Sequence, residues 1–519
     1  MRQSAPVDRA RALALTGLLA LTAACSSGHG SNDVPTVTSP SPTAAVGSSA
    51  PPSSRPPGAA APAELTPWKG CGTMFQCSTL DVPLDEHDAA AGTVTLSLTR
   101  TRATGPSSRR IGSLLVNPGG PGASAVDFLT QAYTDIPAAV RARFDLVAFD
   151  PRGVGHSAPV HCESTAELDR YFHLDPAPTD AAGVKAIDDG NRKLAAGCAQ
   201  HSRRVLPHVS TVEAARDMDR VRAALGDQKL TYLGYSYGTS IGAAYLDRFP
   251  TRVRAMVLDG ALDPTLSWDQ LLAGQSKGFD LALKAFLADC QAKACAFRAA
   301  TSGDLVAAYD RLAARVKAQP LPGDATRTVG AGEFSLGVEA GLYSKANGWP
   351  AIATALAEAQ RGNGKILLAL SDSYLERSPS GYANVSEANF AVNCIDRPWP
   401  RQDAPYLALA KQVSKNYPRF GPSIALSGLG CAVWPVRPVS TPRAVRGKGS
   451  PPIVVVGTTR DPATPYMWAQ GLAKQLASGV LLTHEGDGHT SYRTSAPACL
   501  TDPVNRYLLT AIAPPATTC

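Results

Sequence analysis

The order of apolar segments predicts an α/β fold: a mainly parallel sheet covered by helices, with an inserted, mostly helical cap domain. Three observations carry this. From Gly92 onward strand-like and helix-like stretches alternate, the pattern of a parallel sheet wrapped by helices. Between about Leu262 and Ser450 that rhythm stops and the stretches are helical. A glycine-flanked serine, Gly234-Tyr235-Ser236-Tyr237-Gly238, stands where a strand gives way to a helix.

The first residues read as an export signal. Arg2, Arg9 and Arg11 precede a 13-residue apolar run, Ala12 to Ala24, well short of the roughly 20 residues a membrane span needs. Leu21-Thr22-Ala23-Ala24-Cys25 fits a bacterial lipobox, with Thr22 where such boxes usually carry a larger aliphatic residue. Residues 1–25 are therefore expected to be a signal peptide with a lipobox, and Cys25 the lipidated residue. Residues 26–64 are almost entirely Ser, Pro, Gly, Ala, Thr and Val; such a segment cannot bury enough apolar surface to offset its ordering entropy, and it reads as a flexible tether. The expected location is the cell envelope, lipid-anchored on the outer face of the cytoplasmic membrane, or outside the cell. Membrane contact is expected only through the anchor at Cys25.

After the tether the segments follow in order. Thr93 to Arg102 alternates apolar and polar residues as a strand does. Ser113 to Val116 and Asp145 to Phe149 are short apolar runs that end in loops at Asn117 and Asp150. Thr211 to Leu225 has helical spacing, and Lys229 to Leu233, Arg254 to Leu258, Ile453 to Gly457 and Val480 to Leu482 complete the strands. The helical stretches are Leu271 to Ala288, Leu305 to Ala318, Phe334 to Leu342, Ala351 to Ala359 and Leu407 to Val413. The roughly 455 residues after the tether exceed the ~250–300 at which single cores stop growing. Residues 65–264 and 446–519 are expected to form the two parts of the core, and residues 265–445 the cap.

Lys and Arg number 50 against 43 Asp and Glu, a formal net charge of +7, without a basic run, so nucleic-acid binding has no support. Of 11 cysteines, the ten after Cys25 contain no Cys-x-x-Cys pair of the kind zinc sites use. Disulfides are expected and no metal. Pairing neighbours in order gives Cys71–Cys77, Cys162–Cys198, Cys290–Cys295, Cys394–Cys431 and Cys499–Cys519.

The motifs point to acyl transfer through a serine. A G-x-S-x-G turn between strand and helix is a nucleophile elbow, which makes the fold an α/β-hydrolase fold and Ser236 the nucleophile. Ser240 lies in an overlapping Gly238-Thr239-Ser240-Ile241-Gly242 match, one helical turn further in, and is rejected. A serine hydroxyl needs a base, and the base an orienting acid, in the chain order Ser, acid, His. His484 continues a strand, whereas His489 follows the loop Gly486-Asp487-Gly488 and is assigned as the base. Asp461, just beyond the preceding strand, is assigned as the acid over Asp487, which shares the histidine's loop. The glycine loop Asn117-Pro118-Gly119-Gly120-Pro121-Gly122 supplies one oxyanion-hole N–H, assigned to Gly120, and Tyr237 supplies the other.

Asp150-Pro151-Arg152-Gly153-Val154-Gly155-His156-Ser157, with the Gly-Gly-Pro-Gly loop, resembles the prolyl aminopeptidase group of α/β hydrolases. Iminopeptidases carry His before Gly-Gly-Pro-Gly; here Asn117-Pro118 precede it. That variant is similar to the secreted tripeptidyl aminopeptidase branch, as are Cys71-Gly72, Cys77, Leu80-Asp81-Val82-Pro83-Leu84-Asp85, Asn393-Cys394-Ile395-Asp396 and the block Gly457 to Pro465. The resemblance covers about residues 65–519. It implies hydrolysis of peptides with free N-termini, releasing tripeptides, without a cofactor, and it leaves Asp150 and Arg152 as loop supports. An exopeptidase must hold an ammonium group; Asp396 is the first candidate, with Glu339 and Glu387 behind it. A carboxylesterase on the same fold and triad, and a non-catalytic lipoprotein binding module, are the alternatives.

Overall fold

The computed structural model describes residues 64–299 and 303–519; the signal, Cys25 and all of the tether but its last residue lie outside them. Fourteen strands are present among the described residues: β1 (Lys69–Gly70), β2 (Gln76–Pro83), β3 (Thr93–Thr101), β4 (Gly112–Asn117), β5 (Phe144–Phe149), β6 (Leu230–Tyr235), β7 (Val253–Asp259), β8 (Leu321–Pro322), β9 (Thr328–Val329), β10 (Arg377–Ser378), β11 (Gly381–Tyr382), β12 (Ile453–Arg460), β13 (Gly479–Asp487) and β14 (Thr517–Thr518). Ten of them form one sheet in the order β1-β2-β3-β5-β4-β6-β7-β12-β13-β14. The pairs from β5 to β14 are parallel, and β1, β2 and β3 add an antiparallel edge.

The central strands read as unbroken apolar runs because both their faces are covered. Every residue of β4, β5 and β6 is buried. Successive side chains point to opposite faces. Leu115, Val147, Tyr232, Met256 and Val455 join one core, while their neighbours Leu114, Val116, Leu146, Leu233, Val257 and Val454 join the other. Period two within a strand thus becomes two cores in space.

Between β7 and β12 no strand among the described residues enters the main sheet; β8 with β9 and β10 with β11 are isolated two-stranded hairpins. The helices there include Trp268–Lys293, Leu305–Ala318, Ala331–Leu342, Gly348–Gln360, Lys365–Tyr374, Val385–Asp396 and Ala404–Ser414. They bury a third core of their own, with Leu283, Phe286, Val338, Ile352, Leu356 and Tyr406 at its centre. The sequence pattern had not picked out β2, Lys365–Tyr374 or Val385–Asp396. In Val385–Asp396 the buried face is interrupted by Glu387, which hides the helical period.

All five neighbouring cysteine pairs form disulfides: Cys71–Cys77, Cys162–Cys198, Cys290–Cys295, Cys394–Cys431 and Cys499–Cys519. Beyond β5 the side chain of Arg152 is 1 % exposed. Its Nε and Nη2 donate to Asp217 at 2.7 and 2.8 Å, and its Nη1 and Nη2 donate to the carbonyls of Leu84 and Pro83 at 2.7 and 2.9 Å. This guanidinium ties β2 to the loop after β5. Arg152→Ala would leave the buried Asp217 carboxylate with Arg220 alone, 3.0 Å away, beside an empty volume, a loss of about 3 kcal/mol. A thermal unfolding midpoint several degrees below the parent is expected; an unchanged midpoint would contradict the role.

Candidate active site

The chemistry-bearing residues lie at the carboxyl ends of parallel strands, where open α/β sheets bind ligands. Ser236 follows β6, the Asn117–Gly122 loop follows β4, Asp461 follows β12 and His489 comes just after β13. Ser236 has φ +53°, in the left-handed region that non-glycine residues seldom adopt. Its N–H donates to the carbonyl of Asp259 at 2.8 Å, and its own carbonyl receives the Thr239 N–H at 2.9 Å. The helix Gly238–Arg248 starts immediately after, with Tyr237 as its N-cap.

This turn has room only for glycine at its flanks. A Cβ on Gly234 would stand 2.6 Å from the carbonyl oxygen of Gly238, and one on Gly238 would stand 2.8 Å from that of Asn117. A Cβ on Gly119 would lie 2.8 Å from both the Ser236 Cβ and the Tyr237 nitrogen. The glycine loop therefore presses against the elbow, beside the N–H of Tyr237 at a helix N-terminus. Asn117 accepts the Gly119 N–H at 3.0 Å and fixes the loop.

His489 is 8 % exposed, and its Nδ1 lies 2.9 Å from each oxygen of Asp461. Asp461 is held in turn by the N–H groups of Ala463 (2.9 Å) and Thr464 (2.8 Å) and by the Thr464 hydroxyl (3.0 Å). With Nδ1 donating to Asp461, Nε2 is left as the acceptor, and it is buried without a hydrogen-bond partner. The Tyr343 ring stands edge-on to the imidazole with centroids 5.1 Å apart, and the Tyr343 carbonyl takes the His489 N–H at 2.8 Å. The rival acid Asp487 pairs instead with Arg460 and Lys345, which hold its carboxyl below the ordinary range against the cost of burial. His484 lies within β13.

Ser236, His489, Gly120 and Tyr237 open on one cavity of about 1230 Å³, lined on its other side by cap residues. The three carboxylates considered for an ammonium group fare differently. Glu387 does not line this cavity: it is 3 % exposed, and its Oε1 accepts the N–H groups of Cys162 (2.7 Å) and Glu163 (2.9 Å). That is a correction, because the Glu387 side chain turns to the core loop at Cys162–Glu163, while its neighbours Val385 and Ser386 line the cavity. Asp396 does line the cavity, but both its oxygens bond to Thr211, one to the N–H at 2.8 Å and the other to the hydroxyl. The Thr211 hydroxyl also meets the Tyr237 hydroxyl at 2.5 Å, and burial pushes Asp396 up to about 6. Glu339 lines the cavity with one hydrogen bond, from the Ser335 hydroxyl at 2.9 Å, and no ion pair among the described residues. Burial pushes it up to about 7.

Asp150 and Arg152 act as loop supports. Asp150 accepts from the Ser124 hydroxyl and from the N–H groups of Val126 (3.0 Å) and His156 (2.8 Å). Several residues at the site escaped sequence reasoning. Tyr343 and Arg397 come from the cap without a local motif, and Glu376, at φ +50°, also lines the cavity. Asp259 did carry a signal, since it ends an apolar strand just before Gly260. Its Oδ2 accepts the N–H groups of Ser491 (2.8 Å) and Tyr492 (2.7 Å), anchoring the segment after His489 to β7. Asp259→Ala should speed hydrogen exchange at those two amides at least tenfold, since bonds to a charged acceptor contribute about 1.5–3 kcal/mol each. Asp259→Asn, which keeps a neutral acceptor, should fall between the two; equal protection in the Ala variant would contradict the anchor.

Comparison with known proteins agrees with this geometry. The family described as alpha/beta hydrolase fold matches residues 112–492. The chain is 38% identical over 475 residues to Serine protease Hip1 of Mycobacterium tuberculosis (strain ATCC 25618 / H37Rv), covering 88% of this chain and 90% of that protein. It is 37% identical over 455 residues to Carboxylesterase B of the same strain, covering 85% of each. It is 32% identical over 458 residues to Tripeptidyl aminopeptidase of Streptomyces lividans, covering 85% of this chain and 84% of that protein. The chain belongs to the α/β-hydrolase fold family and is a serine hydrolase within it.

Proposed function

We propose that the chain is an exported exopeptidase that removes short peptides, tripeptides above all, from free N-termini through an acyl-serine intermediate. The observation that carries this is Glu339, a carboxylate without an ion pair among the described residues, on the same cavity as Ser236 and His489. A carboxylate kept from counter-ions at a cost in desolvation is suited to a substrate ammonium group. Relatives named tripeptidyl aminopeptidase and serine protease support the reading.

In this reading Ser236 attacks the scissile carbonyl while Nε2 of His489 takes its proton and later delivers it to the leaving amine. Asp461 orients the imidazole and stabilises its cation. The N–H groups of Gly120 and Tyr237 receive the oxyanion, each worth roughly 2.7–4 kcal/mol in the transition state. The second product leaves when water, deprotonated by His489, attacks the acyl-serine. Lipidation at Cys25 and export belong to the same proposal; the five disulfides support an oxidising compartment. A carboxylesterase is the second reading, favoured by the relative of that name.

The test compares a free tripeptide anilide, its N-acetylated twin and a short-chain nitrophenyl ester, with Ser236→Ala as blank. Fast cleavage of the free anilide, at least tenfold slower cleavage of the acetylated one, and a loss of order 10⁶ in the Ser236→Ala variant are expected. Turnover of the ester alone would overturn the peptide reading. Binding should also follow pH. Glu339 is ionised only above about 7, and a peptide α-amine is protonated only below about 8. Peptide binding to the Ser236→Ala protein should therefore peak between those values and weaken toward acid. Glu339→Gln should remove the acid limb; a limb that survives it would place the ammonium elsewhere.

A further inference from the structure

Arg397 is a cation the fold leaves unspent. It directly follows the helix Val385–Asp396 and lines the cavity. Its Nε is buried without a hydrogen-bond partner, and its Nη1 reaches only the Leu266 carbonyl, at 3.3 Å. No carboxylate forms a salt bridge with it among the described residues; its chain neighbour Asp396 bonds to Thr211 and acts on it only through space. Burial pulls the guanidinium below its ordinary value, a mark of the desolvation it bears. Buried polar groups are almost always partnered, and an exception beside a cavity points to a ligand that completes it. A guanidinium offers a rigid fork of donors that matches a carboxylate.

Its place in the cavity sharpens the point. Glu339 belongs to the flank of His489, through Tyr343, which lies on the next turn of chain and packs on the imidazole. Arg397 follows Asp396, which reaches Tyr237 through Thr211, and its own guanidinium lies against the Leu266 carbonyl. One cavity thus holds carboxylates, Glu339 and Glu376, and a cation, Arg397, none of them in an ion pair among the described residues.

We propose that Arg397 receives a substrate carboxylate, the free C-terminus of a short oligopeptide, so that the cavity reads both ends of its substrate. This rests on the aminopeptidase reading and narrows it to short peptides with two free termini. An acidic side chain could present the same chemistry, and the experiment separates the two sources.

A pentapeptide is prepared with a free or acetylated N-terminus and with a C-terminal acid or amide, together with an amide carrying Asp as its penultimate residue. Binding to the Ser236→Ala protein is measured by calorimetry, so no turnover is needed. The acid should bind at least tenfold more tightly than the amide, the size of a charge-assisted hydrogen bond. Adding Arg397→Gln should bring that ratio to about one, and Arg397→Lys should restore part of it, with thermal midpoints confirming that both variants fold. Equal binding of acid and amide, or a ratio that survives Arg397→Gln, would overturn the proposal. Tight binding of the Asp-containing amide would overturn the C-terminal assignment. The free-to-acetylated ratio tests the aminopeptidase reading separately, because it can collapse while the acid-to-amide ratio stands.

Discussion

The site depends on one steric constraint: three stretches of backbone meet at Ser236 with no space for side chains between them. The end of β6, the start of the following helix and the loop after β4 close on one another at Gly234, Gly238 and Gly119. The left-handed φ of Ser236 is an unfavourable conformation for a residue with a Cβ, and the surrounding sheet and helix hold it there. Its effect is to lift the serine out of the strand while setting the Tyr237 N–H and the glycine loop beside it. The proposed nucleophile and the proposed anion-stabilising donors are thereby placed by a single turn. Any side chain at the three glycines would push these segments apart, and the cost would appear in chemistry as well as in stability.

The cap is coupled to that turn through the helix Val385–Asp396. At its start Asn384 bonds to Gly153, Gly155 and Val160, and Glu387 holds Cys162 and Glu163. Midway, Asn389 donates to the Pro121 carbonyl at 3.1 Å, and a Cβ on Gly122 would lie 2.3 Å from the carbonyl of Val385. At its end Asp396 reaches Tyr237 through Thr211. One helix thus braces the core loops, the glycine loop and the residue after the serine. Asp396 and Glu387 are structural braces for this reason, and Glu339, Glu376 and Arg397 are charged groups on the cavity without an ion pair among the described residues.

The parts of the account legible in the sequence are those set by local rules. Buried parallel strands announce themselves as apolar runs, and β4, β5, β6, β7 and β12 were readable from them. The Gly-Tyr-Ser-Tyr-Gly turn was readable because its glycines answer a close approach only a few residues away. Asp461 and His489 followed from chain order, and the structure brings them together at 2.9 Å. What escaped was set by distant packing. Glu387 and Asp396 differ in partners that lie 225 and 185 residues away in the chain, which no local pattern encodes. Tyr343 reaches His489 from the cap for the same reason. The helix Val385–Asp396 was missed because the polar residues that make it a brace also break its apolar period.

The central claim is that Ser236 is an activated nucleophile, and labelling with a fluorophosphonate followed by peptide mapping tests it most directly. The account predicts one label per chain, on Ser236, absent from Ser236→Ala and strongly slowed in His489→Ala. Labelling at Ser240, or a rate at Ser236 that does not depend on His489, would contradict it.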